Sequence, residues 1–313
     1  MAKWFGDLLL ELARQDPRLC GVSCDCWGFL APLAKEFPER AIEVGIAEQN
    51  LIGVAAGLAL RGKIPFAIGM NPFVTMRGFE QIRTDLGYGA RNVKVIGGYG
   101  GGLMFAGWGC THHALEEMAL MRLIPTMTVL MPADSYETEQ AVRAAAATEG
   151  PFYIALAGGT LPGAKPEAER SFTVGKAVQL RAGEAATLIA VGPMLPAALS
   201  AADRLAERGL HVRVLNMHTI KPLDREAVLR AARETRLLLT LEEHTVVAGL
   251  GGAVAEVLAD AGAGTRLRRL GVQDVFPVLS GNQQDFHEQL GLTASAVANE
   301  VIQELGRESP TAP

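Results

Sequence analysis

One carboxylate stands at the head of the most apolar stretch of the chain. In "RAIEVGIAEQNLIGVAAGLALRGK", Arg40 to Lys63, Glu48 precedes a run from Leu51 to Leu60 made of Leu, Ile, Val, Ala and Gly. A helix that is apolar on all sides is buried. An acid in its first turn is therefore either a helix-start residue at the surface or a buried acid with a partner. Burial favours the neutral form of a carboxyl group, which can then donate a proton as well as accept one. A second concentration is "GCTHHALEE", which brings Cys110, His112 and His113 together at the start of a helical pattern. Neighbouring side chains on a helix point about 100° apart, so the two imidazoles are poorly placed to share one ligand; each is either a packed or solvated group or a proton-handling one. A third is the run "GGYGGG", Gly97 to Gly102, directly after the strand-like "NVKVI". Such runs are often plain loops, but the carboxyl ends of strands in an open α/β sheet border the ligand crevice.

Other groupings carry less. "GLALRGK", Gly57 to Lys63, has Ile64 where a phosphate loop needs Ser or Thr, and it lies at a helix end. Cys20, Cys24 and Cys26 match no zinc spacing, so they read as structural thiols.

The elements that must carry these groups alternate between strand and helix. Helical patterns are predicted at Lys3 to Arg14, Ile46 to Leu60, "FEQIRTDLGYG", "HALEEMALMRLI" and "SYETEQAVRAAAAT", the last capped by Ser135. Strands are predicted near Leu19 to Asp25 and at "RAIEVG", "IPFAIG", "NVKVIGG", "TMTVLMPA" and "PFYIAL". Short apolar runs between helices are what a parallel sheet covered on both faces requires. The Gly, Pro and charge-rich segment Ala157 to Ser171 breaks the pattern. A second series then follows: "ATLIAVG", Leu195 to Arg208, "HVRVLNM", Arg225 to Arg233, "LLLTLEE", Ala253 to Ala261, "LRRLGV" and Ala294 to Leu305. The fold class is thus α/β with two domains, residues 1–165 and 171–313, each a mainly parallel sheet flanked by helices.

Composition narrows the function. The 313 residues carry a formal charge of -5 and no basic stripe, which argues against a nucleic-acid partner. No uncharged apolar run of roughly 18 residues is present, so no membrane span is expected. The N-terminal segment reads as an amphipathic helix rather than a signal peptide, and four cysteines fit reduced thiols. A cytoplasmic chain is expected.

The motifs also occur together. "EVGIAEQNLIGVAAGLA", "FVTMRGFEQIR" and "GCTHHALEEMALMRLIPTMTVLMPAD" resemble, in order and spacing, the pyrimidine-binding domain of the transketolase family. "IKPLD", Ile220 to Asp224, and "LEEHTVVAGLGGAVAEVLA", Leu241 to Ala259, resemble its C-terminal domain. The resemblance implies thiamine diphosphate, with Glu48 sharing a proton with a pyrimidine nitrogen. It places Phe73 against the ring, Met70 where relatives usually have another aromatic, and Arg77 near the cofactor. Arg77 and Gln81 read equally well as helix-surface groups. His112 takes the position of the substrate-facing histidine, and His113 stands where relatives carry glutamine. Glu242, Glu243 and His244 read as packing and subunit contact.

What the resemblance does not find is equally specific. The family holds Mg2+ and the diphosphate with a GDG motif followed by Asn, and no GDG occurs here. The resemblance therefore implies the C-terminal half of a split enzyme, with a separate N-terminal subunit carrying GDG and Asn, in an α2β2 assembly. Relatives read sugar hydroxyls with an Asp where Trp108 stands. They hold the sugar phosphate with a histidine and an arginine where Gly100 and Gly158 stand. A phosphate without such partners loses its charge-assisted bonds. The expected activity is transfer of a two-carbon ketol unit between ketose and aldose, with a substrate other than a standard pentose phosphate or with phosphate contacts supplied by the partner. The alternatives are the β subunit of a 2-oxo acid dehydrogenase and a non-catalytic scaffold.

Overall fold

The computed structural model describes residues 1–162, 170–278 and 281–307. The first part of the chain forms α1 (Ala2–Gln15), β1 (Leu19–Ser23), α2 (Ala31–Glu36), β2 (Ala41–Glu43), α3 (Glu48–Leu60), β3 (Ile64–Met70), α4 (Asn71–Met76) and α5 (Phe79–Gln81). It continues through β4 (Lys94–Gly98), α6 (Glu117–Leu123), β5 (Thr128–Leu130), α7 (Ser135–Ala147) and β6 (Phe152–Ala155). The second part forms β7 (Val178–Arg181), β8 (Thr187–Ala190), α8 (Leu195–Ala206), β9 (Arg213–Asn216), β10 (Thr219–Lys221) and α9 (Arg225–Glu234). It ends with β11 (Leu237–Thr245), α10 (Leu250–Asp260), β12 (Arg266–Val272), α11 (Gln283–Leu290) and α12 (Ala294–Gly306).

Two sheets result, in the strand orders β10-β5-β6-β4-β3-β1-β2 and β12-β11-β8-β9-β7. Every pairing is parallel except β10 on β5 and β7 on β9. Strands β1 and β4 are buried at every position, as both-face coverage demands. On one side α1 packs Phe5, Leu8, Leu9 and Leu12 toward the sheet, a helical spacing that puts them on one face. Each such side chain contributes about 1.5–3 kcal/mol on full burial. In the second part α8 and α12 cover the sheet with Leu195, Leu199, Leu205, Val297 and Val301.

The two-sheet α/β architecture expected from the strand–helix alternation is present, with several local differences. Strand β10 follows β9 in the chain yet adds to the first sheet, so the two parts interlock. The boundary expected at 165–171 falls mostly on residues 163–169, outside the described ones. The apolar helix begins at Glu48 rather than Ile46, and it is not buried all round. Leu51, Ile52, Ala55 and Ala56 face the sheet, while Gly53, Gly57 and Leu60 are turned away from it. The helix expected from His113 starts only at Glu117, because His113 is extended and Ala114 is bridged to Gly102; residues 106–108 and 110–112 before it form two 3-10 turns. The cap of α7 is Asp134, whose side chain accepts the Glu137 N–H at 2.9 Å, and not Ser135. The segment read as one helix from Phe79 is a short α turn followed by a π turn over Ile82–Gly87. No helix among the described residues is long and apolar enough to cross a membrane.

Candidate active site

The loop that delivers Glu48 is fixed before the helix begins. At the end of β2, the Glu43 carboxylate accepts the N–H groups of Asp25 at 3.1 Å and Gly45 at 2.9 Å, and Ser23 Oγ donates to it as well. The Ala47 N–H points at Cys24 Sγ, 3.2 Å away. Burial pushes the Cys24 thiol up to about 11, and the nearby Glu48 and Glu43 charges add to this, so it stays protonated beside Glu48. Glu48 itself is 5% exposed. It is a buried acid with a partner: Arg77 Nη1 lies 3.2 and 3.3 Å from its two oxygens.

That guanidinium leads directly to the aromatic residues. Arg77 follows α4 and lies over the Phe73 ring, 4.3 Å from its centroid. The Phe73 ring meets the His112 imidazole edge-on at 5.1 Å. His112 meets Trp108 edge-on at 5.1 Å, and Trp108 leans on Phe105 at 5.4 Å. Thr111 Oγ1 lies 2.9 Å from His112 Nδ1. Trp108 is 64% exposed, so the row ends in an open apolar wall. The fold thus joins Glu48, Arg77, Phe73, His112 and Trp108 into one chain of contacts, although they come from three separate segments. Met70, the last residue of β3, is half-buried at the N-cap of α4, three residues before Phe73.

Gly100 sits elsewhere. It lines a cavity of about 220 Å³ together with Gly158, Met104, Leu156 and Pro193. The cavity wall carries no Lys, Arg or His among the described residues. His113 turns the other way, edge-on to Phe286 at 5.3 Å, with Nε2 3.3 Å from the Ala106 carbonyl. Gln81 donates to Glu80 at 2.6 Å and takes no part in the row.

The glycine run does not present an open phosphate cradle. The amides at its end are taken by the protein. Glu117 accepts the Gly102 N–H, and Glu243 accepts the Leu103 N–H at 2.9 Å. A Cβ at position 101 would lie 2.0 Å from Glu117 Oε1, and one at 102 would lie 2.2 Å from Glu243 Oε2. Gly102 also has φ +62, which only glycine adopts freely. Burial pushes Glu117 up to about 8, against hydrogen bonds from Tyr153, Asn71 and Gly102, with the Glu243 charge adding to the rise. Proton counting agrees. The Tyr153 hydroxyl contacts both Glu117 and Asn71 Oδ1, and it has one hydrogen. A protonated Glu117 donates to the phenol, the phenol donates to Asn71, and Asn71 Nδ2 donates to the Gly100 carbonyl at 3.0 Å.

"LEEH" at the end of β11 divides its work. Glu242 accepts the Leu250 and Gly251 N–H groups at 2.6 and 2.8 Å, which caps α10, and burial pushes it up to about 7. His244 donates from Nδ1 to the Thr245 carbonyl at 2.7 Å, and its Nε2 accepts the Ala119 N–H at 3.2 Å. Burial holds it down to about 4, so it is neutral. Glu242 is thus a packing residue, while Glu243 and His244 make contacts between the two parts of the chain.

An interlocked pair of mainly parallel sheets flanked by helices defines a two-part α/β protein of the open-sheet class. Residues 1–162 match the family description "Transketolase, pyrimidine binding domain", and residues 175–297 match "Transketolase, C-terminal domain". A "Putative transketolase C-terminal section" of Methanocaldococcus jannaschii is 38% identical over 98% of this chain and 97% of its own length. A "6-deoxy-6-sulfo-D-fructose transketolase subunit SqwH" of a Clostridium species is 41% identical over 93% of this chain and 90% of its own. A solved structure described as "Split gene transketolase, inactive beta4 tetramer" is 40% identical, covers 97% of both chains and superposes with a TM-score of 0.87. The chain belongs to the transketolase family.

Proposed function

We propose that this chain is the C-terminal, pyrimidine-binding subunit of a split transketolase that transfers a two-carbon ketol unit and works only with an N-terminal partner. The observation that carries the reading is the contact row Glu48–Arg77–Phe73–His112–Trp108. A buried carboxylate beside a flat apolar ring suits the aminopyrimidine of thiamine diphosphate: Glu48 would hold a ring nitrogen, and Phe73 and Met70 would hold the ring. Bound thiamine diphosphate supplies a thiazolium carbon able to act as a nucleophile. Glu48 would hold or yield a proton at its carboxyl oxygen, Arg77 covers that carboxylate and the Phe73 face until the ring takes its place, and His112 would offer a hydrogen-bond donor to substrate. Trp108 closes the site with an apolar wall.

On this reading the diphosphate and Mg2+ are held by the partner. The sequence has no GDG, and among the described residues no cluster of His, Cys, Asp or Glu is arranged to hold a metal. A partner carrying GDG and Asn would supply those groups, in an α2β2 assembly in the cytoplasm. Support comes from relatives described as subunits, including one of an apulose-4-phosphate transketolase from Phocaeicola vulgatus, 36% identical over 96% of both chains. The wall beside Gly100 and Gly158, which carries no Lys, Arg or His among the described residues, favours a ketose or aldose other than the standard pentose phosphates, or phosphate contacts made by the partner.

The test is reconstitution with the N-terminal subunit, thiamine diphosphate and Mg2+. Glu48→Ala is expected to lower ketol transfer by orders of magnitude, where a lost helix-start charge would cost a few-fold. Near-normal turnover in that complex rules the role out. Efficient transfer between xylulose 5-phosphate and ribose 5-phosphate by the native pair refutes the substrate assignment alone.

A further inference from the structure

We propose that Glu243, a carboxylate of the second part of the chain, is a positioning residue for His112. The inference rests on the functional reading above and extends it.

The segment that carries Trp108 and His112 leaves β4 through the glycine loop and returns at α6. Its own structure is slight: two 3-10 turns, Ala106–Trp108 and Cys110–His112, and one isolated antiparallel bridge between Gly102 and Ala114. Turns of this kind are short and have poor hydrogen-bond geometry, so contacts from outside must set the position of the imidazole. The bridge closes the segment into a loop, with the Ala114 N–H donating to the Gly102 carbonyl at 2.8 Å. Ala114 is two residues past His112. The next amide after that carbonyl, Leu103 N–H, donates to Glu243 at 2.9 Å. The base of the loop is therefore pinned by a side chain 140 residues away in sequence.

Glu243 is itself held from behind by α11. Gln283 Nε2 donates to its two oxygens at 2.7 and 2.9 Å, and His287 Nε2 contacts Oε1. The same helix packs Phe286 against His113, the neighbour of His112. One helix thus fixes the loop at its base and next to its imidazole. A fully desolvated carboxylate is a costly way to fill space, and an apolar side chain would pack at lower cost. What it offers instead is a directional acceptor for one particular amide, with Gly102 giving up a Cβ to admit it. Position, rather than bulk stability, is the property this arrangement serves.

The experiment is a double-mutant cycle on the reconstituted complex, loaded with thiamine diphosphate and Mg2+, with hydroxypyruvate as donor and glycolaldehyde as acceptor. Glu243→Gln keeps the shape and one acceptor oxygen. We expect it to lower kcat/KM for the donor by at least tenfold, mostly through KM, and to leave the cofactor Kd within threefold. In a His112→Ala background the same change is expected to cost less than twofold. In the cofactor-free chain, the His112 ring resonances are expected to shift in Glu243→Gln. An equal loss in both backgrounds, no loss in either, or unmoved His112 resonances overturns the proposal. If Glu243→Gln does not assemble, Gln283→Ala and His287→Ala enter the same cycle. No ketol transfer by the native pair, or full activity in His112→Ala alone, would instead bring down the functional reading on which this one rests.

Discussion

Arg77→Ala probes how the buried acid is held. Arg77 Nη1 sits between the two Glu48 oxygens while its guanidinium covers the Phe73 ring, so one planar cation engages both groups that a pyrimidine would need. The Glu48 side chain is 6% exposed and the Arg77 side chain 52%. Exposed pairs contribute about 0–1 kcal/mol, whereas breaking a buried one costs about 3–5 kcal/mol. With one member buried and the other half in water, about 1–2 kcal/mol is the reasonable figure. Calorimetry should then show Tm lowered by about 2–8 °C, at about 2–4 °C per kcal/mol for domains of this size. On the proposed reading a pyrimidine takes the place of the guanidinium at Glu48 and Phe73, so removing Arg77 should tighten thiamine diphosphate binding in the assembled complex. The same 1–2 kcal/mol corresponds to about 5–30-fold in Kd, measurable by titration calorimetry with Mg2+ present. If Tm falls as expected while Kd stays the same or weakens, the guanidinium and the ring do not compete, and the reasoning fails.

Stability offers further tests. Glu117 has a folded value of about 8 against an ordinary 4.5, so the contribution of its neutral form is complete below about pH 4.5 and is lost as pH rises through 8. Lys94, lowered to about 7, acts in the opposite sense at higher pH, so the difference between variants is the quantity to follow. The Tm of Glu117→Gln should gain on that of the native chain between about pH 5 and 8.5; a gap independent of pH would contradict the assignment. Gly102→Ala combines a 2.2 Å clash with a left-handed φ of +62, and urea unfolding should show a loss of about 2–4 kcal/mol. Gly57→Ala, mid-helix with nothing within 4 Å of its Cβ, should stabilise the isolated chain by about 0.5–1 kcal/mol.

How much of this was readable in advance depends on range in sequence. The strand–helix alternation was legible because short apolar runs between helices have few other uses. Glu48 was visible because a charge inside an apolar run demands an explanation. Its partner was not, since Arg77 lies 29 residues away and reads as a surface group. Phe73 and His112 came from motif resemblance; that they touch is a property of the fold. The Glu243 contact spans 140 residues and leaves no periodic trace. Strand β10 is too short, at three residues, to show alternation. Helix α11 is polar apart from Phe286 and Leu290, yet Asn282 and Asp285 form a capping box that could have announced it.

Strand β10 has a practical consequence. Lys221 Nζ donates to the Arg122 and Ile124 carbonyls, and the His218 carbonyl accepts the Met131 N–H. A truncation that ends near residue 165 would strip this ribbon from β5 and leave a bare hydrogen-bonding edge, the kind of surface on which chains stack into aggregates. Gene fusions, module swaps and minimal fragments of this protein should therefore cut beyond Lys221, and heating should melt both sheets in a single cooperative step.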